Sequence, residues 1–263
     1  MNTALKKKSL EESLSGHTAQ VVESESGIKT VGENVLVEVL ENFEKFLERD
    51  IPEDVPFELD EKYFQGIPYV LSNHELNAFL QATPHLKDNE DYKRYLGYFI
   101  SKLVDNAFIA GHNNYQIDLV DLPPLDEVCL ELRDRDLGYP LVVNVVGNVG
   151  SDFAWGAEKC RINFEGNANH YFCANVKDSE IYARGNMGSD AFEEISGSIV
   201  RIEGDFQNLG YNIDGSIFKT ADEYLLKKLL DSKSGIKLGS DNKVIFIKPD
   251  GTEELVRDYS WKK

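Results

Sequence analysis

The sequence predicts a mixed α and β protein in which a helical N-terminal region precedes a single-stranded parallel β-helix, closed by a C-terminal capping helix and β-hairpin. Three observations support this: a 19-residue repeat, amphipathic helical patterns before it, and a helix start and turn signal after it. We expect a disordered tail over 1–30, the helical region over 31–112, the β-helix over 113–220 with clear repeats over 143–220, and the C-terminal cap over 221–263.

The N-terminal third divides into a polar tail and three helices. The tail is rich in Lys, Glu, Ser and Thr and has little apolar periodicity, which is typical of a mobile segment. Apolar residues at helical spacing predict helices over 35–47, 72–83 and 89–110, the second opening at the capping box Ser72-x-x-Glu75. These helices would cover the first coil, because an open end exposes strand edges and apolar core.

The repeat is a column of glycines with a 19-residue period, each followed by Asn or Asp. Its members are Gly147, Gly166, Gly185, Gly204, Asn148, Asn167, Asn186 and Asp205. Before each glycine, apolar residues alternate with polar ones in register, as in a half-buried strand. A 19-residue period is too short for helical repeats or propeller blades, so it predicts a parallel β-helix. A chance run of antiparallel strands with turn glycines is the alternative.

Less regular segments flank the clear repeats. Residues 115–122 and 128–132 alternate like strands, which predicts irregular first coils. On the C-terminal side, Thr220-x-x-Glu223 predicts a capping box that opens a helix, and Asp250-Gly251 predicts the turn of a hairpin.

The segment 185–204, GNMGSDAFEEISGSIVRIEG, resembles a known repeat. Its Gly185, Gly188, Gly197 and Gly204, with apolar Ile195 between them, resemble the GXGXG β-helix repeat found in the large chain of glutamate synthase and in one chain of formylmethanofuran dehydrogenase. The likeness covers about 80 residues, at moderate specificity.

That resemblance has implications for fold and role. Phe192 and Glu194 stand where the family pattern has glycines. The resemblance implies a right-handed β-helix with a structural or subunit-contact role, in which catalysis is carried elsewhere. It therefore brings no catalytic residues to this chain.

Composition excludes several functional classes. The formal net charge of -18, from 28 Lys+Arg against 46 Asp+Glu, would repel nucleic-acid backbones and anionic membranes. No apolar run reaches the roughly 18 residues of a membrane span, and the first segment lacks the apolar region of a secretory signal. The three cysteines contain no CxxC pair, which argues against a disulfide framework or cysteine-rich metal site. We expect a cytoplasmic protein.

The search for chemistry finds no nucleotide-binding, zinc-hydrolase or serine-hydrolase motif, so we predict no catalytic residue, cofactor or metal. His112, Asn113 and Asn114 are candidate ligand residues because they follow a long helix, although Gly111 also suits a plain helix stop. His170 is the other candidate, since it would share an exposed polar ridge with Ser151, Ser189 and Asn208 and could act as a general base.

These observations favour a non-catalytic β-solenoid scaffold or protein-interaction module. The alternative is a structural subunit of a multi-subunit redox or amidotransfer enzyme related to those that carry the GXGXG repeat. A third possibility is a small-molecule enzyme with a polar pocket near His112. We expect a protein partner or a homo-oligomer, and no nucleic-acid or membrane partner.

Overall fold

The computed structural model describes residues 33–49, 51, 67–135, 137–231 and 241–258. The helices are α1 Glu33–Phe46, α2 Asn73–Ala82, α3 Tyr92–Ile109 and α4 Glu223–Leu230, with a 3₁₀ turn at Pro84–Leu86. The strands are β1 Asn114–Asp118, β2 Leu141–Val146, β3 Cys160–Glu165, β4 Glu180–Arg184, β5 Ile199–Glu203, β6 Ile217–Thr220, β7 Lys243–Ile247 and β8 Glu253–Asp258. The predicted tail over 1–30 lies outside the described residues.

The strands form one eight-stranded sheet in which neighbours in sequence are neighbours in space. Strands β1 to β7 are parallel, and β8 returns antiparallel to β7. Ile162 lies opposite Val143 on one side and Ile181 on the other, so the period predicted from the glycines is the sheet register. The mixed α and β class, the parallel strands and the hairpin are confirmed, and the antiparallel alternative is wrong.

The same offset recurs outside the strands. Lys177 forms parallel bridges with Glu158 and Ser196, and Met187 forms them with Ala168 and Phe206. Between these bridges, each repeat contains a turn segment whose backbone also hydrogen-bonds to the repeats before and after it. Cys173 N, for example, donates to Phe153 O in the preceding repeat at 2.8 Å.

The glycine column marks the closest approach between repeats. A Cβ at Gly185 would lie 1.8 Å from Gly166 O, and a Cβ at Gly204 would lie 2.0 Å from Gly185 O. The neighbouring Asn/Asp column forms a ladder of hydrogen bonds: Asn167 N donates to Asn148 Oδ1 at 3.0 Å, and the same bond links each later member to the one before it.

The turn segments hold non-glycine residues at positive φ. Ala154, Cys173 and Phe192 have φ of 54°, 52° and 60° and occupy one column. The left-handed conformation costs such residues about 1–2 kcal/mol each. All three side chains are buried, which offsets that cost. The predicted strand over 128–132 is wrong, because this segment is a turn of the same kind, with Cys129 at φ 64°.

One continuous apolar core joins the helices to the inner face of the sheet. Phenylalanines from successive repeats contact one another within it, and Phe153 and Phe172 stack with ring centroids 5.2 Å apart. On the helical side, Phe43 packs edge-on against Phe79 at 5.8 Å. No helix among the described segments is long and apolar enough to cross a membrane.

Helix α2 covers the edge of β1 with two asparagines one turn apart. Asn73 accepts from Gln116 N at 2.8 Å and donates to Asn114 O at 3.0 Å. Asn77 accepts from Asp118 N at 2.8 Å and donates to Gln116 O at 2.7 Å. The two amides thus satisfy four backbone groups that an edge strand would leave open. The helical region therefore packs at the end of the sheet, as a cover for its first strand.

The predicted helix ends are partly confirmed. The capping box of Ser72 and Glu75 is present at the start of α2. Helix α4 differs, because its N-cap is Asp222, whose carboxylate accepts from two backbone N–H groups. Thr220 belongs to β6 and accepts from Asp222 N at 3.1 Å, so the predicted capping box there is wrong. The hairpin turns at Gly251 as predicted, with φ of 82°.

Candidate functional site

The outer face of the sheet is an array of side chains that alternate with the buried ones along each strand. Because β3, β4 and β5 keep one register, equivalent residues stand in straight columns. We call the following set the outer face: Arg161, Asn163, Glu165, Glu180, Tyr182, Arg184, Ile199, Arg201 and Glu203.

At the centre of the outer face, Tyr182 lies between two arginines. The guanidinium carbons of Arg184 and Arg201 are 5.8 Å and 5.3 Å from the centroid of its ring. The Tyr182 hydroxyl donates to Glu203 Oε2 at 2.5 Å and accepts from Arg184 Nη2 at 3.2 Å. Arg201 Nη2 donates to Glu203 Oε1 at 2.5 Å. Four side chains thus hold one another in a fixed arrangement.

The electrostatics of this cluster follow from the same contacts. The hydrogen bond from Tyr182 lowers the pKa of Glu203, and both arginines lower it further. Partial burial raises the pKa of Tyr182, and the Glu203 carboxylate raises it as well. Beside the cluster, Ile199 is 38% exposed. Tyr and Arg beside an apolar side chain are typical of the residues that dominate protein–protein interfaces.

A ladder of asparagines continues the outer face toward β1. Asn163 Nδ2 donates to Asn144 Oδ1 at 2.8 Å, and Asn144 Nδ2 donates to Asn114 Oδ1 at 3.0 Å. The side chain of Asn114, a candidate ligand residue, therefore supports the sheet.

The candidates His112 and Asn113 lie between the end of α3 and the start of β1. His112 N donates to Ala107 O at 3.0 Å, and Gly111 N donates to Phe108 O at 2.9 Å, which is the bond pattern of a Schellman stop. Asn113 O accepts from Val142 N at 2.8 Å at the start of the sheet.

An open groove of 440 Å³ lies on another part of the surface. Its lining residues are Pro84, Lys87, Asp88, Lys93, Val120, Asp121, Leu122 and Pro123. His112 is outside this lining, so the groove is not the polar pocket expected for an enzyme centred on His112.

His170 lies on a different surface, among the turn segments. Its Nδ1 is 2.6 Å from Ser189 Oγ, one repeat further along. In the preceding repeat, Asp152 N donates to His170 O at 3.1 Å. The predicted ridge thus brings His170 and Ser189 together, and His112 takes no part in it. His170 is solvent-exposed, and its hydrogen bond links two repeats.

The sequence did not predict a cluster of acids at the junction between α3 and the sheet. Glu127 is 7% exposed, hydrogen-bonds to the Tyr98 hydroxyl, and leaves its Oε2 atom without a partner. Burial raises the pKa of Glu127 to about 7. Asp152 lies nearby, and burial together with the charge of Asp126 raises its pKa to about 6.

The glycine repeat gives no indication of this cluster, because the first repeat is longer than the later ones. Arg133 pairs with Glu158, which is a longer offset than the one between the later repeats. The same longer offset separates Glu127 from Asp152, which places Glu127 outside the glycine-based alignment that contains Asp152. Two positive φ values in the column, 61° and 60°, are the structural sign of their equivalence.

The remaining candidates for a chemical site are metal-ligating side chains and the three cysteines. No group of three or more His, Cys, Asp or Glu side chains among them is placed to hold a metal ion. Cys129, Cys160 and Cys173 are free and buried. Burial raises the pKa of each thiol, to about 12 for Cys160.

Comparison with known proteins yields no relative. No family model matches the chain, and neither a curated protein nor a solved structure matches it. The resemblance to the GXGXG repeat therefore stays a prediction.

Proposed function

We propose that this chain is a non-catalytic β-solenoid scaffold that binds a protein partner through its outer face. In this proposal the repeats form a right-handed single-stranded parallel β-helix, with one coil for each repeat of the sequence. Support comes from the offset between repeats, which recurs in the strands, at the bridges and in the turn segments. Handedness rests on the resemblance to the GXGXG repeat.

The observation that carries the binding role is the Tyr182 cluster. Its ring, the two guanidinium groups of Arg184 and Arg201 and the nearby Ile199 provide the large amphipathic contacts that concentrate binding energy in an interface. Glu203 fixes the cluster before binding. Because those side chains are already ordered, this chain would lose less conformational entropy when a partner binds.

The chemistry of the cluster also limits the partner. Arg184 and Arg201 are about half exposed and stand on an acidic protein of net charge -18. A matching surface would present an apolar contact for Ile199 and acceptors for the arginines. We therefore propose a folded protein partner. The cytoplasm is the proposed setting, since all three cysteines are free thiols.

The test compares the affinity of the wild-type chain and of single-residue variants for the same companion. The tagged chain is used to capture a stoichiometric companion, which is then purified and titrated against wild type, Tyr182→Ala and Arg201→Ala. Each change should weaken binding by about 10-fold or more. Tyr211→Ala is the matched control, because Tyr211 is 61% exposed and lies outside the outer face. Unchanged affinity in both outer-face variants would exclude this surface as the binding site.

The identity of the companion tests a second, more specific proposal, in which the scaffold is a structural subunit of a larger enzyme. A companion with a flavin, an iron–sulfur cluster or a molybdenum or tungsten cofactor would make this chain a structural subunit of a redox or amidotransfer enzyme. Turnover of a substrate by the purified chain alone would contradict both forms.

A further inference from the structure

Two buried polar atoms at the junction between α3 and the first turn segment have no hydrogen-bond partner. Glu127 Oε2, in the turn segment, accepts no hydrogen bond, and Arg94 Nε, in the first turn of α3, donates none. One is an acceptor on an acid and the other is a donor on a base. Because buried polar groups in native proteins are nearly always paired, two orphan atoms of opposite character in one region need a physical explanation.

Tyr98 contacts both of these side chains. Its hydroxyl donates to the carboxyl of Glu127, and the guanidinium carbon of Arg94 lies 6.0 Å from the centroid of its ring. Arg94 and Glu127 are close enough that each favours the charged form of the other. Their orphan atoms nevertheless do not meet. The two side chains therefore attract each other without forming an ion pair at these atoms.

Arg94 binds instead to the chain that follows α1. Its Nη2 donates to Ile51 O at 2.9 Å, and its guanidinium carbon is 5.3 Å from the centroid of the Tyr95 ring. Ile51 N donates to the Tyr95 hydroxyl at 3.0 Å, and Ile51 is buried. Both backbone groups of Ile51 are thus bound to side chains of α3, and Arg94 supplies one of the two bonds.

The protonation state of Glu127 changes what its carboxyl requires. Burial raises the pKa of Glu127 to about 7, and the nearby charges of Asp152 and Asp126 raise it as well, whereas Tyr98 and Arg94 lower it. The neutral carboxyl needs no cation. Once the proton leaves, a carboxylate that is 7% exposed and near two other acids is strongly destabilised unless a positive charge pairs with it. Arg94 is the cation in place to do so.

We propose that Arg94 is a two-position switch controlled by the protonation of Glu127. While Glu127 is neutral, Arg94 donates to Ile51 O, as in the structure. When Glu127 ionises, the Arg94 side chain rotates past the Tyr98 ring and donates to Glu127 Oε2. The bond to Ile51 O is then lost, so the end of α1 is bound less firmly to α3 above neutral pH than below it. The switch includes no residue of the outer face, so it and the binding function can fail separately.

The experiment follows both positions by NMR spectroscopy of the full chain, labelled with ¹³C and ¹⁵N, from about pH 5.5 to about pH 8.5. The Glu127 carboxyl carbon, identified by its absence in Glu127→Gln, reports the ionisation of Glu127. In wild type, the Arg94 Nε–H and Ile51 N–H signals should shift with the same midpoint. Nuclear Overhauser contacts from Arg94 Nε–H to the Glu127 side chain should grow as the pH rises. In Glu127→Gln, the Arg94 and Ile51 signals should stay constant.

Arg94→Gln tests the pairing from the other side. Removing the cation should raise the pKa of Glu127 by about 1 or more, a tenfold change in its proton affinity. Lys93→Gln is the matched control, because it removes the neighbouring positive charge at an exposed site and should leave the pKa of Glu127 unchanged. An Arg94 signal that stays constant in wild type, or still shifts in Glu127→Gln, would overturn the switch, and so would equal effects of the two α3 variants. The Glu127→Gln comparison stands alone if Arg94→Gln does not fold.

Discussion

The Tyr98 hydroxyl hydrogen-bonds to the buried carboxyl of Glu127, and this contact joins α3 to the first turn segment. Glu127 also accepts a hydrogen bond at its backbone oxygen from Ser101 Oγ at 3.2 Å. Asp126, next to it, accepts from Ser151 N at 2.7 Å. The junction between helices and sheet is thus made by polar groups, and one of them has a pKa near neutrality.

This arrangement predicts that stability falls as pH rises toward 7. The pKa of Glu127 is about 7 in the folded chain against 4.5 ordinarily, so between these values the native state holds a proton that the unfolded state has lost. Stability should therefore fall between pH 4.5 and 7 and level off above, by up to about 3 kcal/mol. Asp152 acts in the same direction.

Urea unfolding at several pH values between 5 and 8 measures this effect. Glu127→Gln should reduce the decline and make the protein more stable than wild type at pH 8, since the amide carries no charge. Glu90→Gln, at an exposed site, is the control and should keep the wild-type profile. If the free energy of unfolding of Glu127→Gln declined with pH as steeply as that of wild type, another group would be responsible for the decline.

A second prediction concerns the cover on β1. Asn73→Ala removes two hydrogen bonds to the edge strand, to Gln116 N and Asn114 O, and should destabilise the protein by about 1–3 kcal/mol. Asn77→Ala should have a similar effect. The free energy of unfolding in urea is the measurement, with exposed Asn169→Ala as control. Equal stability of all three variants would mean that water replaces the hydrogen bonds from the amides to β1 with no loss of stability.

Periodic features of the fold could be predicted from the sequence, because they depend on local pattern. Val143, Ile162 and Ile181 are equivalent by spacing, and the structure places them in one column of the core. The hairpin was likewise predictable from Asp250 and Gly251, because a two-residue pattern carries the turn.

Features that depend on tertiary position could not be predicted in this way. Tyr98 and Glu127 meet only because α3 packs on a turn segment that departs from the regular repeat spacing. Thr220 and Asp222 are both good N-cap residues, and the choice between them depends on where β6 ends. Asn73 has no sequence feature that distinguishes a strand cover from an ordinary exposed residue.

The cysteines provide a third prediction. Cys129, Cys160 and Cys173 are at most 3% exposed, and burial raises the pKa of each thiol. A thiol reagent such as Ellman's reagent should therefore react slowly with the native chain and should titrate all three thiols in denaturant. Rapid labelling of a native thiol, with the fold intact by circular dichroism, would show that this part of the core opens in solution.

The last prediction separates steric closeness from backbone strain at the glycine column. Gly185 and Gly138 both have positive φ, 126° and 88°, so alanine is strained at either site. They differ in their surroundings: a Cβ at Gly185 would lie 1.8 Å from Gly166 O, whereas nothing lies within 4 Å of one at Gly138. Gly138→Ala should cost about 1 kcal/mol. Gly185→Ala should cost several times more, because the backbones of two repeats must move apart. Thermal and urea unfolding of the two variants measure this difference, and equal destabilisation would show that the repeats separate easily at this column.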